Sequence, residues 1–156
     1  MAVLGNDFLS RLPISISKDE APEVQGGLQF FINYINILEG VKSKIKNLHW
    51  AATKLPNSDK RGAHLYLDDY LDTVGEFQDN VAEDAMSILG IMPVDCIQGV
   101  GFPATNTADL ISYVLEKTTD FYNNTPAGAI YKGLTSETEQ FIHESNVTKY
   151  RFNLTE

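Results

Sequence analysis

Apolar residues recur at spacings of three and four positions along the first third of the chain. Over residues 23–52 they are Leu28, Phe31, Ile35, Leu38, Val41, Ile45 and Leu48. This spacing gathers them on one face of a helix, and the strict alternation that marks a strand is absent. The pattern therefore predicts an amphipathic helix from about Glu23 to Ala52 with one buried face.

A second apolar stripe follows the turn-like stretch at 55–58. Its members again keep the helical spacing, and they are Leu67, Leu71, Val74, Gln78, Val81, Ala85 and Ile88. Gly90 and Pro93 are typical stop signals after a helix. We predict that the second helix ends near Leu89.

Two shorter helices complete the predicted fold. Glycine and proline mark 91–105 as a loop, and a third helix is expected over 107–122, capped by Asn106 or Thr107. Ser136 and Glu139 have capping-box spacing, which starts the last helix there and ends it near Phe152, with a start nearer Ala129 as the alternative. Four helices without a strand pattern predict an all-α, antiparallel four-helix bundle. At 156 residues the chain suits one domain, 1–156, with 1–22 as an N-terminal extension.

The net charge favours cations as partners. Twelve basic residues against twenty-one acidic ones give a formal charge of −9, which opposes binding to DNA or to an anionic membrane. We find neither an apolar run long enough to span a bilayer nor a secretory signal, and Cys96 is the single cysteine. We expect a cytoplasmic protein that binds neither membranes nor DNA.

Acidic residues are concentrated in one part of the chain. Residues 62–116 contain no lysine or arginine, yet they include carboxylates one helical turn apart, such as Asp68 with Asp72 and Asp79 with Glu83. Like charges at that spacing repel, and a bound divalent cation would offset the repulsion. Asp72 and the nearby Glu76 fit two interpretations, auxiliary carboxylates that guide iron or solvated surface.

Two histidines frame this acidic helix. His49 lies near the end of the first helix and His64 near the start of the second, so a helical hairpin brings them together. Asp68 follows His64 by one turn on the same face. These three residues form a candidate metal half-site.

Asp79 and Glu83 form the other candidate half. They share a face with Asp68 but lie about 16 Å further along the helix, so one chain cannot bring both sets to one metal. Two copies packed antiparallel about a two-fold axis would do so. Such a set with open coordination positions suits iron(II), and zinc and manganese are alternatives.

These motifs resemble the signature of the Dps family, the mini-ferritins. The resemblance is carried by the segment 46–50 (KNLHW), by His64 with Asp68, by Asp79 with Glu83, and by the Leu-Gly pair at 89–90. It implies a ferritin-like bundle in which His49, His64 and Asp68 of one subunit meet the partner's Asp79 and Glu83. It also implies Trp50 beside the metal.

The function implied by this resemblance is that of a ferroxidase and iron store. Members of the family oxidise Fe(II) with hydrogen peroxide or oxygen and keep the ferric product inside a hollow homo-dodecamer, which protects against oxidative damage. The alternative is a non-enzymatic structural or assembly protein on the same bundle, with an idle or zinc-binding site. The Gly- and Pro-rich segment 91–105 departs from the family pattern and keeps that alternative open.

Overall fold

The computed structural model describes residues 21–54, 57–90 and 97–155, and within them the chain is helical with no strand. The long helices are α1 (Ala21–Ala51), α2 (Asn57–Leu89), α3 (Thr107–Asn124) and α4 (Lys132–Asn153). Short 3₁₀ turns at Ala52–Lys54 and Ala129–Tyr131 precede α2 and α4. The predicted all-α class and its four helices are confirmed, whereas the proposed extension 1–22 lies almost wholly outside the described residues.

The predicted start of the last helix is wrong. The helix α4 begins at Lys132, so Ser136 lies one turn inside it rather than at its cap, and the alternative start near Ala129 is closer. Leu134 is 1% exposed, and the hydroxyl of Thr138 donates a hydrogen bond to the Leu134 carbonyl oxygen. Burial of Leu134 extends the helix toward its N-terminus, because tertiary packing overrides a local capping signal.

The N-terminus of α3 has one of the two predicted capping residues, Asn106. The side chain of Asn106 accepts a hydrogen bond from the backbone N–H of Asp109, as a helix N-cap does. The helix then continues to Asn124, two residues beyond the predicted end.

The two predicted apolar stripes form the centre of the core. All seven residues of the first stripe are buried, and so are most of the second, including Leu67, Val74, Val81 and Ala85. Leu71 and Ile88 are only partly buried at its margin. The hydrophobic effect on these stripes therefore accounts for the pairing of α1 with α2.

Buried hydroxyl pairs tie α1 and α2 to the other helices. Tyr34 on α1 shares a 2.7 Å hydrogen bond with Thr118 on α3, and Tyr70 on α2 shares one of 2.8 Å with Ser145 on α4. Burial raises the pKa of both tyrosine hydroxyls, so they stay protonated at neutral pH. Each pair satisfies polar groups that would otherwise be costly to bury.

The connection between α2 and α3 lies across α1. The Val100 N–H donates to the Asn36 carbonyl oxygen at 3.1 Å, and the Gln98 N–H donates to Asn36 Oδ1 at 2.8 Å. Beneath it, Gly40 leaves room for the Val100 carbonyl, which a Cβ at residue 40 would overlap. The predicted loop is thus confirmed over 97–105, and 91–96 lies outside the described residues.

No helix among the described residues is long and apolar enough to cross a bilayer.

We expect Gly40→Ala to destabilise the fold by about 1–3 kcal/mol, because the added methyl group collides with backbone rather than with a flexible side chain. The matched control is Gly133→Ala, where a Cβ would meet nothing within 4 Å. That variant should be neutral or stabilising by up to about 1 kcal/mol, since alanine is the better helix former. Urea denaturation measures both, and equal effects would contradict the close approach at Gly40.

Candidate metal centre

The hairpin of α1 and α2 brings the two predicted histidines together. His49 lies in the last turn of α1, and His64 lies near the start of α2. Their ring centroids are 3.7 Å apart, with the planes inclined by 36°. The predicted proximity of the two imidazoles is confirmed.

Asp68 completes the group from one turn further along α2. Its Oδ1 lies 3.1 Å from His49 Nδ1, and the His49 side chain is 18% exposed while that of Asp68 is 55% exposed. Although the distance suits a hydrogen bond, the direction does not, so the buried Nδ1 has no hydrogen-bond partner among the described residues. A buried ring nitrogen in that state costs stability unless another partner, such as a cation, satisfies it.

The spacing of the three side chains fits a single metal ion. One potential ligand atom from each of His49, His64 and Asp68 lies within 4.8 Å of the others. Ligand atoms at this spacing can reach one metal ion after rotation of the side chains. The exposed carboxylate leaves one side of the group open to solvent, where further ligands have access.

Asp79 and Glu83 are not part of this group within one chain. Both side chains are exposed on α2, and Asp79 lies about 16 Å along the helix from Asp68. The described structure therefore assembles three of the five predicted site residues. The pairing of the other two with a partner subunit stays a prediction.

Trp50 follows His49 and is 65% exposed, so it does not belong to the core of this chain. The hydroxyl of Thr53 donates to the Trp50 backbone carbonyl at 2.9 Å, which closes the end of α1. An exposed aromatic side chain at this position is available for contact with another molecule.

A polar clamp fixes the spacing of α1 and α2 near mid-length. Gln78 is buried and donates from Nε2 to the Ile35 carbonyl and to Glu39 Oε1, both at 3.1 Å. Lys42 donates to Gln78 Oε1 at 3.0 Å. The hydrogen bond from Gln78, followed by the charge of Lys42, lowers the pKa of Glu39. Sequence reasoning placed Gln78 in the apolar stripe and missed this clamp, because its partners lie far along the chain.

A pair of carboxyl groups between α2 and α4 was also missed. Asp84 Oδ2 and Glu137 Oε2 are buried, and when both groups are ionised neither oxygen has a hydrogen-bond donor among the described residues. Partial burial, a hydrogen bond with Asp84 and the charges of Asp84 and Glu83 raise the pKa of Glu137 to about 7. A protonated Glu137 can donate a hydrogen bond to Asp84, which would satisfy both oxygens.

Comparisons with known proteins find no matching family model, no matching curated protein and no matching solved structure. The resemblance to the Dps family therefore depends on the motif residues of the sequence, and membership of that family stays a prediction.

We expect Glu137→Gln to stabilise the protein at pH 8 and to have little effect below the ordinary glutamate pKa. A carboxyl group whose pKa is raised on folding contributes stability at low pH, and this contribution is lost as the pH rises through about 7. Thermal unfolding should show Tm higher by about 1–3 °C at pH 8. The control Glu144→Gln, on the same helix, should show no such pH-dependent gain, and a Glu137→Gln effect independent of pH would contradict the raised pKa of Glu137.

Proposed function

We propose that this protein is a Dps-like mini-ferritin. It oxidises Fe(II) with hydrogen peroxide or oxygen at a centre shared between two subunits, and it stores the ferric product. The observation that carries the proposal is the convergence of His49, His64 and Asp68 across the hairpin, with ligand atoms within 4.8 Å of one another. These are the residues that the motif resemblance assigns to one half of such a centre.

The donor atoms support iron as the substrate. Imidazole nitrogen and carboxylate oxygen together suit Fe(II), and three protein ligands leave coordination positions for an oxidant. The Nδ1 atom of His49 is buried and has no hydrogen-bond partner among the described residues, so it is available as a metal ligand. The acidic stretch of α2 attracts cations toward the open side of the group.

A second copy of the chain would supply the remaining ligands. Asp79 and Glu83 are exposed and lie one helical turn apart. At this spacing two carboxylates can bind the same metal ion. They cannot reach His64 of their own chain, because about 16 Å of helix separates them from Asp68. Antiparallel packing of two subunits about a two-fold axis would place this pair opposite the partner's histidines.

The contacts between helices support a ferritin-like arrangement. At one end of the hairpin His49 meets His64, and at the other a Cβ on Gly27 would lie 3.8 Å from Leu89. These two contacts support an antiparallel arrangement of the two helices that carry the candidate site. This pairing is expected of the first two helices in the proposed bundle.

A long crossover joins α2 to α3, as in ferritin-like bundles. The connection contacts Asn36 of α1 through Val100, and Lys44, two turns further along α1, lies over the ring of Phe102. After the crossover, α3 returns along α1 toward the level of Tyr34. These contacts support a direction of α3 opposite to that of α1, as the proposed topology requires.

The proposed reaction balances with two Fe(II) ions, one hydrogen peroxide and two protons from solvent. Each of two Fe(II) ions loses one electron, while hydrogen peroxide accepts two electrons and two protons, its O–O bond breaks and two water molecules form. The histidines and carboxylates hold the ions and offset their charge. Ferric iron then leaves for mineral storage, and removal of peroxide and free Fe(II) explains a protective role.

We expect the double variant Asp79→Asn with Glu83→Gln to oxidise Fe(II) at least about tenfold more slowly, because the second half of the centre loses its charged ligands. The measurement is the rate of ferric absorbance after Fe(II) and hydrogen peroxide are mixed. The control is Glu116→Gln with Asp120→Asn, which removes two exposed carboxylates at the same spacing from α3. That control should oxidise iron at the wild-type rate.

A double variant as active as the wild type would show that Asp79 and Glu83 are dispensable, and the shared centre would be rejected. A wild-type protein that binds zinc but does not accelerate iron oxidation would reject the ferroxidase. It would favour the non-enzymatic alternative, since two histidines and one carboxylate also form a zinc-binding set.

A further inference from the structure

A groove lies between α1 and the crossover that joins α2 to α3. Its α1 wall consists of Gly40, Ser43, Lys44 and Asn47, which share one face of the helix, and its other wall is the crossover segment 99–102. The cavity between the two walls has a volume of about 210 Å³. Pockets that take drug-sized ligands have about 300–1,000 Å³, so this groove suits a small ion or a single functional group.

The crossover wall is held in place at both ends. At one end, the backbone N–H groups of Gln98 and Val100 donate to Asn36 of α1 at 2.8 and 3.1 Å. At the other end, the Phe102 ring stacks on Tyr113 of α3, with centroids 3.7 Å apart and planes inclined by 2°. The backbone between these contacts lies against α1, so the packing of the fold defines the groove.

Lys44 brings a positive charge to the groove. Its Nζ lies 5.6 Å from the centroid of the Phe102 ring, and no carboxylate of the described residues forms a salt bridge with it. The nearby Lys42 is different, because it is paired with Glu39 at 3.3 Å. Contact with an aromatic face leaves the ammonium group without a counter-charge. Lys44 can therefore bind an anion without first breaking an ion pair.

Both walls of the groove offer hydrogen-bond donors. The side chains of Ser43 and Asn47 have no hydrogen-bond partner in the described part of the chain. The backbone N–H groups of Gly99 and Gly101 also donate to none of the described residues. No carboxylate side chain is among the residues that line the groove. Unpaired donors beside an unpaired ammonium group favour an anion with several acceptor oxygens.

The local charge differs from that of the whole chain. Residues 40–58 contain four lysines and no aspartate or glutamate, although the formal net charge is −9. A small anion in the groove responds mainly to charges within the Debye length of about 8 Å at physiological salt. A long polyanion would also meet the negative charge of the rest of the protein. The charge distribution therefore favours a small anion over DNA.

We propose that this groove binds a single phosphate group, either as inorganic phosphate or as the phosphate of a small monoester. Lysine binds phosphate as a point charge, and the hydroxyl, amide and backbone donors can bond the remaining phosphate oxygens. The inference does not rest on the proposed function, because none of the groove residues belongs to the candidate metal centre.

The test is isothermal titration calorimetry of the iron-free protein with inorganic phosphate at neutral pH and constant ionic strength. The wild-type protein should bind with a dissociation constant of about 1 mM or tighter. Lys44→Gln should weaken binding at least about tenfold, because the charge-assisted hydrogen bonds are lost. The matched control is Lys46→Gln, which removes the same charge from an exposed lysine of α1 outside the groove. It should stay within about twofold of the wild type, because solvent screens an exposed charge at a distance.

Gly101→Asp tests the groove from its other wall. A Cβ at residue 101 would meet nothing within 4 Å, so the fold has room for the new side chain. Its carboxylate should repel phosphate and abolish binding, while circular dichroism remains that of the folded protein. Glycerol 3-phosphate is titrated in parallel. Tighter binding than that of inorganic phosphate would identify a monoester as the ligand, and equal or weaker binding would identify free phosphate.

Four results would overturn the inference. They are no phosphate binding by the wild-type protein, equal weakening by Lys44→Gln and Lys46→Gln, wild-type affinity in a folded Gly101→Asp variant, and binding of duplex DNA without binding of inorganic phosphate. The last result would replace the groove with a surface for polyanions.

Discussion

The contact between α1 and α2 is the interaction on which the candidate site depends. Two apolar stripes bury each other along the length of the hairpin, and Gln78 fixes the separation of the helices at mid-length through hydrogen bonds to Ile35 and Glu39. With the register set by these contacts, His49 at one end falls beside His64. The histidine contact is thus a consequence of core packing some turns away.

The sequence was sufficient to predict the parts of the fold that depend on local periodicity. The stripes of α1 and α2 have the helical repeat, and a hairpin then requires that His49 and His64 meet. The start of α4 was not predictable in this way, because the burial of Leu134 decides it. The sequence also does not predict the contact between Asp84 and Glu137, since the two residues lie on helices far apart in the sequence.

The carboxylates of α2 differ in environment according to helical phase. Asp84 has a buried carboxylate oxygen and raises the pKa of Glu137 on α4, whereas its neighbour Glu83 is exposed to solvent. The density of charge along the sequence does not distinguish a buried carboxylate from an exposed one. The packing of the helices does, because it decides which residues of one acidic stretch are desolvated and which remain open to metal ions.

A centre shared between subunits is the central claim, and complementation between two inactive variants tests it most directly. One variant carries His64→Ala and keeps Asp79 and Glu83, and the other carries Asp79→Asn with Glu83→Gln and keeps His64. After the two are unfolded and refolded together, a mixed dimer contains one intact centre, so iron oxidation should return to a substantial fraction of the wild-type rate. If the mixture stays as inactive as either variant alone while mixed dimers are present, the centre is not shared between subunits and the account is wrong.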